Sequence, residues 1–203
     1  RRPVFIHNPR NLTKKVMRKA FILGLALLGS AVLVARGDII PTLSSVTGSS
    51  PNFTWNYSAN VTVDQTVNTG DFFTIYDFGS IAPGSNTQPT GWTFSQALLG
   101  PTAALTAPTD NPNILNLTWT YSGTTPIVGS AALGMFSVIT STDQLKDGQF
   151  TAQGTRNSGP NAGTKVSNIG VVSVPVPEST ALLPIIGVCA VALLSTFRRR
   201  QHA

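Results

Sequence analysis

The sequence predicts an all-β protein, an antiparallel β-sandwich of about seven strands with an apolar helical segment at either end. Three observations carry that expectation. From Phe53 to Asp64 every odd position up to Val63 is apolar (Phe53, Trp55, Tyr57, Ala59, Val61, Val63) and every even one is polar. That strict period of two is the mark of a strand with one face packed and the other wet. Ile114 to Tyr121 repeats the habit with Leu115, Leu117, Trp119 and Tyr121 on one face. No window of residues 38–173 sustains the 3.6-residue period of an amphipathic helix.

Taken in chain order, residues 1–16 precede Met17 and read as an over-extended start with no fold of its own. Residues 17–37 read as a signal peptide: Met17-Arg18-Lys19, a small or apolar run from Ala20 to Val34, then Ala35-Arg36-Gly37. As a helix that run reaches only about 22 Å, short of a bilayer core of roughly 30 Å. Cleavage is expected between Gly37 and Asp38, with a retained N-terminal anchor as the alternative.

Residues 38–173 form the expected sandwich domain. Besides the two strongest strands, candidates are Phe72–Phe78, Gly91–Phe94, Leu133–Thr140, Gln149–Thr155 and Lys165–Val174. Turn clusters separate them at Asn68–Asp71, Pro83–Asn86, Ser122-Gly123, Asp147-Gly148 and Asn157–Asn161. Ser95–Leu105 is expected to form a short helical turn broken at Gly100-Pro101. The segments Phe53–Ser58 and Leu117–Ser122 share an apolar-Thr-Trp-x-Tyr-Ser pattern, which suits equivalent strands of two sheets and equally suits chance.

Residues 174–203 form the tail. Val174-Pro175-Val176-Pro177-Glu178-Ser179 is a stiff, extended handle, and Glu178 is the only Glu in the chain. Thr180 to Phe197 is an uncharged run of 18 residues, about 27 Å as a helix and just long enough for one crossing. Arg198-Arg199-Arg200 follow at once and are expected to hold that end in the cytoplasm. Arg18 and Lys19 would stay on the same side, so the segment between is expected to be exported. The charged end argues against a glycolipid anchor.

Charge supports the division. The chain carries 14 Lys and Arg against 8 Asp and Glu, for a net +6. Eight of those cations lie in residues 1–37 and three at 198–200, so residues 38–197 hold three cations against all eight acids, a net of −5. A nucleic-acid partner needs its cations on the folded domain, so that class is excluded. His7, His202 and Cys189 all lie outside residues 38–173. That removes Ser-His-Asp and Cys-His catalysis, imidazole or thiolate metal sites, and an internal disulfide. No catalytic residue, metal ligand or cofactor is expected, and the protein is not expected to be an enzyme.

Weaker candidates remain. Asp143 with Asp147, or Asp71 with Asp77, could hold Ca²⁺, although Asp is also an ordinary turn former. A pair of Asp residues could in principle act as a glycosidase dyad, but no motif supports it. Trp55, Trp92 and Trp119 could stack on sugars, while their place in alternating strands favours the core. The sequons at Asn52, Asn56, Asn60 and Asn116 suit either a glycan or simply the polar face of a strand.

The order of Val174-Pro175-Val176-Pro177-Glu178, one apolar helix and an Arg-rich end resembles the PEP-CTERM sorting tail of Gram-negative and related environmental bacteria. Ser179 stands where that family has a second Pro, and the likeness is confined to residues 174–200. The resemblance implies processing near Pro177, Glu178 and Ser179 by a membrane-embedded exosortase, after signal peptidase has acted at the other end. It implies a protein anchored in the cell membrane by its C-terminal helix, or released to the cell surface or extracellular matrix. The expected role is structural or interactive, with an exopolysaccharide as a candidate partner and a lectin-like carbohydrate-binding module as the alternative.

Overall fold

The computed structural model describes residues 39–176. Within them the fold is all-β, built from ten strands in two antiparallel sheets. The smaller sheet pairs β1 (Ile39–Ser49) with β2 (Asn52–Val61), and β2 with β8 (Ala131–Thr140). The larger sheet runs β5 (Trp92–Ala97), β6 (Asn116–Tyr121), β4 (Phe72–Ile75), β9 (Leu145–Arg156), β10 (Lys165–Pro175). Two short strands complete it: β3 (Gln65–Val67) takes over from β4 along β9, and β7 (Ile127–Val128) lies beyond β3.

The alternation in β2 holds as far as Val61: Trp55, Tyr57, Ala59 and Val61 are buried while their polar neighbours face out. Val63 falls beyond the strand and is exposed. Trp119 and Tyr121 of β6 fill the core from the opposite sheet, so the repeated Thr-Trp-x-Tyr segments do occupy strands of two different sheets. The aromatic centre of the core is Trp119, stacked on Phe73 at 5.2 Å and edge-on to Phe136 at 5.7 Å. Trp92 meets Phe136 at 5.1 Å and Tyr121 at 5.4 Å. Such edge and offset contacts suit the ring quadrupoles.

Three local expectations change, and one strand was not expected. The strand β1 breaks its own period of two, because the register slips between Leu43 and Ser45 and the residue between them is extra. Asp147-Gly148 is no turn but lies inside β9, opposite Ser173 and Val172. A Cβ on Gly148 would lie 2.7 Å from a Val174 methyl, so the glycine makes room for a core valine. Ser95–Leu105 contains no helix; its first residues end β5 and the rest forms a loop. The sandwich also extends past residue 173, since Pro175 pairs with Leu145 and the Val176 amide donates to the Gln144 carbonyl at 2.8 Å.

Among the described residues no helix is long and apolar enough to cross a membrane. The signal segment, the Gly37-Asp38 junction, Pro177, Glu178, Ser179, the run 180–197 and Arg198, Arg199 and Arg200 lie outside the described residues.

Candidate functional site

The feature that sets this sandwich apart is a strap across the outer face of the larger sheet, residues 98–109, connecting β5 towards β6. Ordinarily the odd and even faces of a strand divide into core and solvent. Here the outward-facing polar residues of β6, β4 and β9 are buried as well: Asn116, Thr118, Thr74 and Thr151 are at most 3% exposed. They are buried because they hold the strap. Asn116 Nδ2 donates to the Leu98 carbonyl at 3.2 Å. Thr74 Oγ1 donates to the Pro101 carbonyl at 2.8 Å, and the Tyr76 hydroxyl reaches Thr102 Oγ1 at 2.9 Å. The Ala103 amide donates to Thr151 Oγ1 at 3.4 Å, and the Thr109 amide to Gln149 Oε1 at 2.6 Å. The strap thus crosses β6, then β4, then β9.

Gly100 lies close against the sheet. A Cβ there would lie 2.9 Å from Thr74 Cγ2 and 3.3 Å from Asn116 Cβ, both rigid atoms, so only glycine lets the strap lie this low. With its polar backbone tied down, the strap turns leucines outward. Leu99 is 73% exposed and Leu105 is 99% exposed, the latter at φ 61. A bulky residue in the left-handed region with no packing in return is uncommon. Beside the strap, on the same outer face of β10, Ile169 and Val171 are also exposed. No charged residue occurs between Asp77 and Asp110.

A second polar cluster pins the far end of the sheet. Asp71 is fully buried and accepts from the Asn68 amide at 2.8 Å, Thr155 Oγ1 at 2.9 Å and Lys165 Nζ. Lys165 remains half-exposed, so the carboxylate is the buried partner of the ion pair. Across the sandwich the Tyr57 hydroxyl donates to the Ser173 carbonyl at 2.8 Å, joining the two sheets. Burial pushes that phenol above its ordinary value of 10.0.

The remaining candidates disperse. Asp71 and Asp77 stand before and after β4 and do not meet; Asp77 accepts from the Asn111 amide at 2.8 Å. Asp143 lies in a loop, bonded to the Gln144 side chain, and Asp147 lies within β9. Among the described residues no three acidic, His or Cys side chains gather to hold a metal. Trp55, Trp92 and Trp119 are at most 5% exposed, so none offers a sugar-stacking surface. Asn116 is buried and bonded, which leaves no room for a glycan, while Asn52 and Asn60 are exposed.

Between the edges of β1 and β10 runs a groove of about 210 Å³ lined by Ile40, Leu43, Val171 and Val172. That is below the range of roughly 300–1,000 Å³ usual for small-molecule sites. Sequence reasoning missed the strap because its anchors look like ordinary wet-face residues. The one available signal was the uncharged run around Leu98-Leu99-Gly100-Pro101.

No protein-family model matches the chain, and no curated protein does. Among solved structures it is similar to the collagen binding subdomain of the Enterococcus faecalis surface protein ACE, at 14% identity and a TM-score of 0.29. The match covers 70% of this chain and 97% of that one. So loose a likeness assigns no function, and the all-β class rests on the strand pairing itself.

Proposed function

We propose that the protein is an exported sandwich domain displayed at the cell exterior by its tail, with a structural or interaction role and no catalytic one. Its apolar segment 180–197 would anchor it in the membrane until an exosortase acts at Pro177, Glu178 and Ser179, releasing it to the surface or matrix. The observation that supports this reading most is that the paired sheet runs up to the residue before the Pro-Glu segment. Among the described residues β10 runs to Pro175, and the Val176 amide, one residue before Pro177, still donates to the Gln144 carbonyl. In sequence, Pro177-Glu178-Ser179 would therefore follow directly on the paired residues of β10. Pro177→Ala with Glu178→Ala should leave the chain full-length in the membrane fraction of its own host, where the unaltered chain is shortened and recovered outside. Unchanged size and location would reduce the tail to a plain anchor.

A polysaccharide partner has one specific feature in its favour, and it is not the tryptophans. The outer face of the smaller sheet is uncharged and carries hydrogen-bonded polar side chains in one row: Thr87 Oγ1 with Ser137 Oγ at 2.6 Å, and Asn56 Nδ2 donating to Ser45 Oγ at 3.2 Å. Such a row suits a neutral glycan. Pull-down of the full chain on a neutral polysaccharide, lost in Asn56→Ala, would support it; no retention at all would remove it.

A further inference from the structure

We propose that the outer face of the larger sheet lies against the bilayer from which the chain emerges, with Leu105, Ile169 and Val171 entering its interfacial layer. This rests on the reading of residues 180–197 as a membrane anchor.

The occupant follows from the length of chain beyond the described residues. Val176 is the last of them, and the apolar run starts at Thr180, four residues on. Fully extended, four residues span at most about 14 Å. An inserted helix therefore keeps the end of β10 at the membrane surface. The exposed apolar residues then form a trail away from that point. Val176 and Leu145 are exposed at the exit, Val171 and Ile169 follow along the outer face of β10, and Leu105 lies on the strap between its two anchors on β9. The strap reaches that position because Ala103 is bonded to Thr151 and Thr109 to Gln149, the residues of β9 opposite Ile169 and Val171.

Two further features fit lipid better than a protein partner. The strap is braced by hydrogen bonds into the sheet, so Leu105 needs no ordering to insert. The face offers no free cation: Lys165 is taken by Asp71, and Asp147 shares the outer parity of β9. Contact should then depend on apolar burial and gain nothing from anionic lipid, unlike a basic amphipathic surface.

The test uses the full chain in phosphatidylcholine vesicles containing lipid spin-labelled on the acyl chain. Single cysteines at Leu105→Cys, Val171→Cys and Asn60→Cys, each with Cys189→Ser, carry a fluorophore. A fourth sample is labelled at the native Cys189. Quenching several-fold stronger at 105 and 171 than at 60, and not strengthened when phosphatidylglycerol is added, supports the proposal. If Cys189 is quenched while 105 and 171 match 60, the anchor reading stands and the apposed face is refuted. If Cys189 is also unquenched, both fail. Burial of the 105 label that depends on protein concentration and not on lipid would overturn the proposal in favour of self-association.

Discussion

Replacing Asp71 with Ala should cost far more than replacing its ion-pair partner Lys165 with Ala. The carboxylate is fully buried, whereas the lysine side chain is 47% exposed. Removing the carboxylate strands two donors with short, defined geometry, the Asn68 amide at 2.8 Å and Thr155 Oγ1 at 2.9 Å. Stranded buried donors cost roughly 1–3 kcal/mol each, so the Asp71→Ala loss should be about 3–5 kcal/mol. Lys165→Ala removes a half-solvated charge, leaves the other two hydrogen bonds intact, and should cost about 1 kcal/mol after screening. The assay is urea unfolding of the full chain in non-ionic detergent, followed by tryptophan fluorescence. All 3 tryptophans of the chain lie in the sandwich core, so the signal reports on that domain alone. Equal losses for the two variants would mean that the ion pair, and not the hydrogen-bonded turn, carries the stability.

Three other outcomes are expected. Gly100→Val should force the strap off Thr74 and Asn116, costing about 1–3 kcal/mol as overpacking does and opening residues 98–109 to limited proteolysis; an unchanged cleavage pattern would contradict the bracing described. Stability should fall as pH rises above 10.0, since the unfolded chain loses the Tyr57 proton there and the folded one keeps it. Tyr57→Phe should lessen that fall, at a cost of about 1 kcal/mol at neutral pH for the lost bond to Ser173. Trp92→Ala should lower stability by about 3–5 kcal/mol by emptying the aromatic core, with any glycan retention of the folded fraction unaffected.

How much of this was legible in the sequence depended on whether a strand obeys its own period. The segments around Trp55 and Trp119 alternate cleanly, and both tryptophans lie in the core as their parity implies. The first strand could not be found that way, because the bulge after Leu43 flips the parity of everything beyond it. Gly148 looked like punctuation, yet it is a strand residue kept small by the Val174 side chain. The strap was the least legible part. Thr74, Asn116 and Thr151 sit on what the alternation marks as the wet face, and only the tertiary path of residues 98–109 turns them into buried anchors. Leu105, at the tip of that path, appears in the sequence as one more apolar residue after two alanines.

At the chain ends the order of residues points to a sandwich cut free of both apolar segments or held by the second. Intact mass and terminal sequencing of the protein recovered from its own host test this most directly. The expected result is a mature chain that begins at Asp38 and, in the released fraction, ends near Pro177-Glu178 without residues 180–203. A chain recovered from the cell interior with residues 17–37 and the whole tail still present would contradict it.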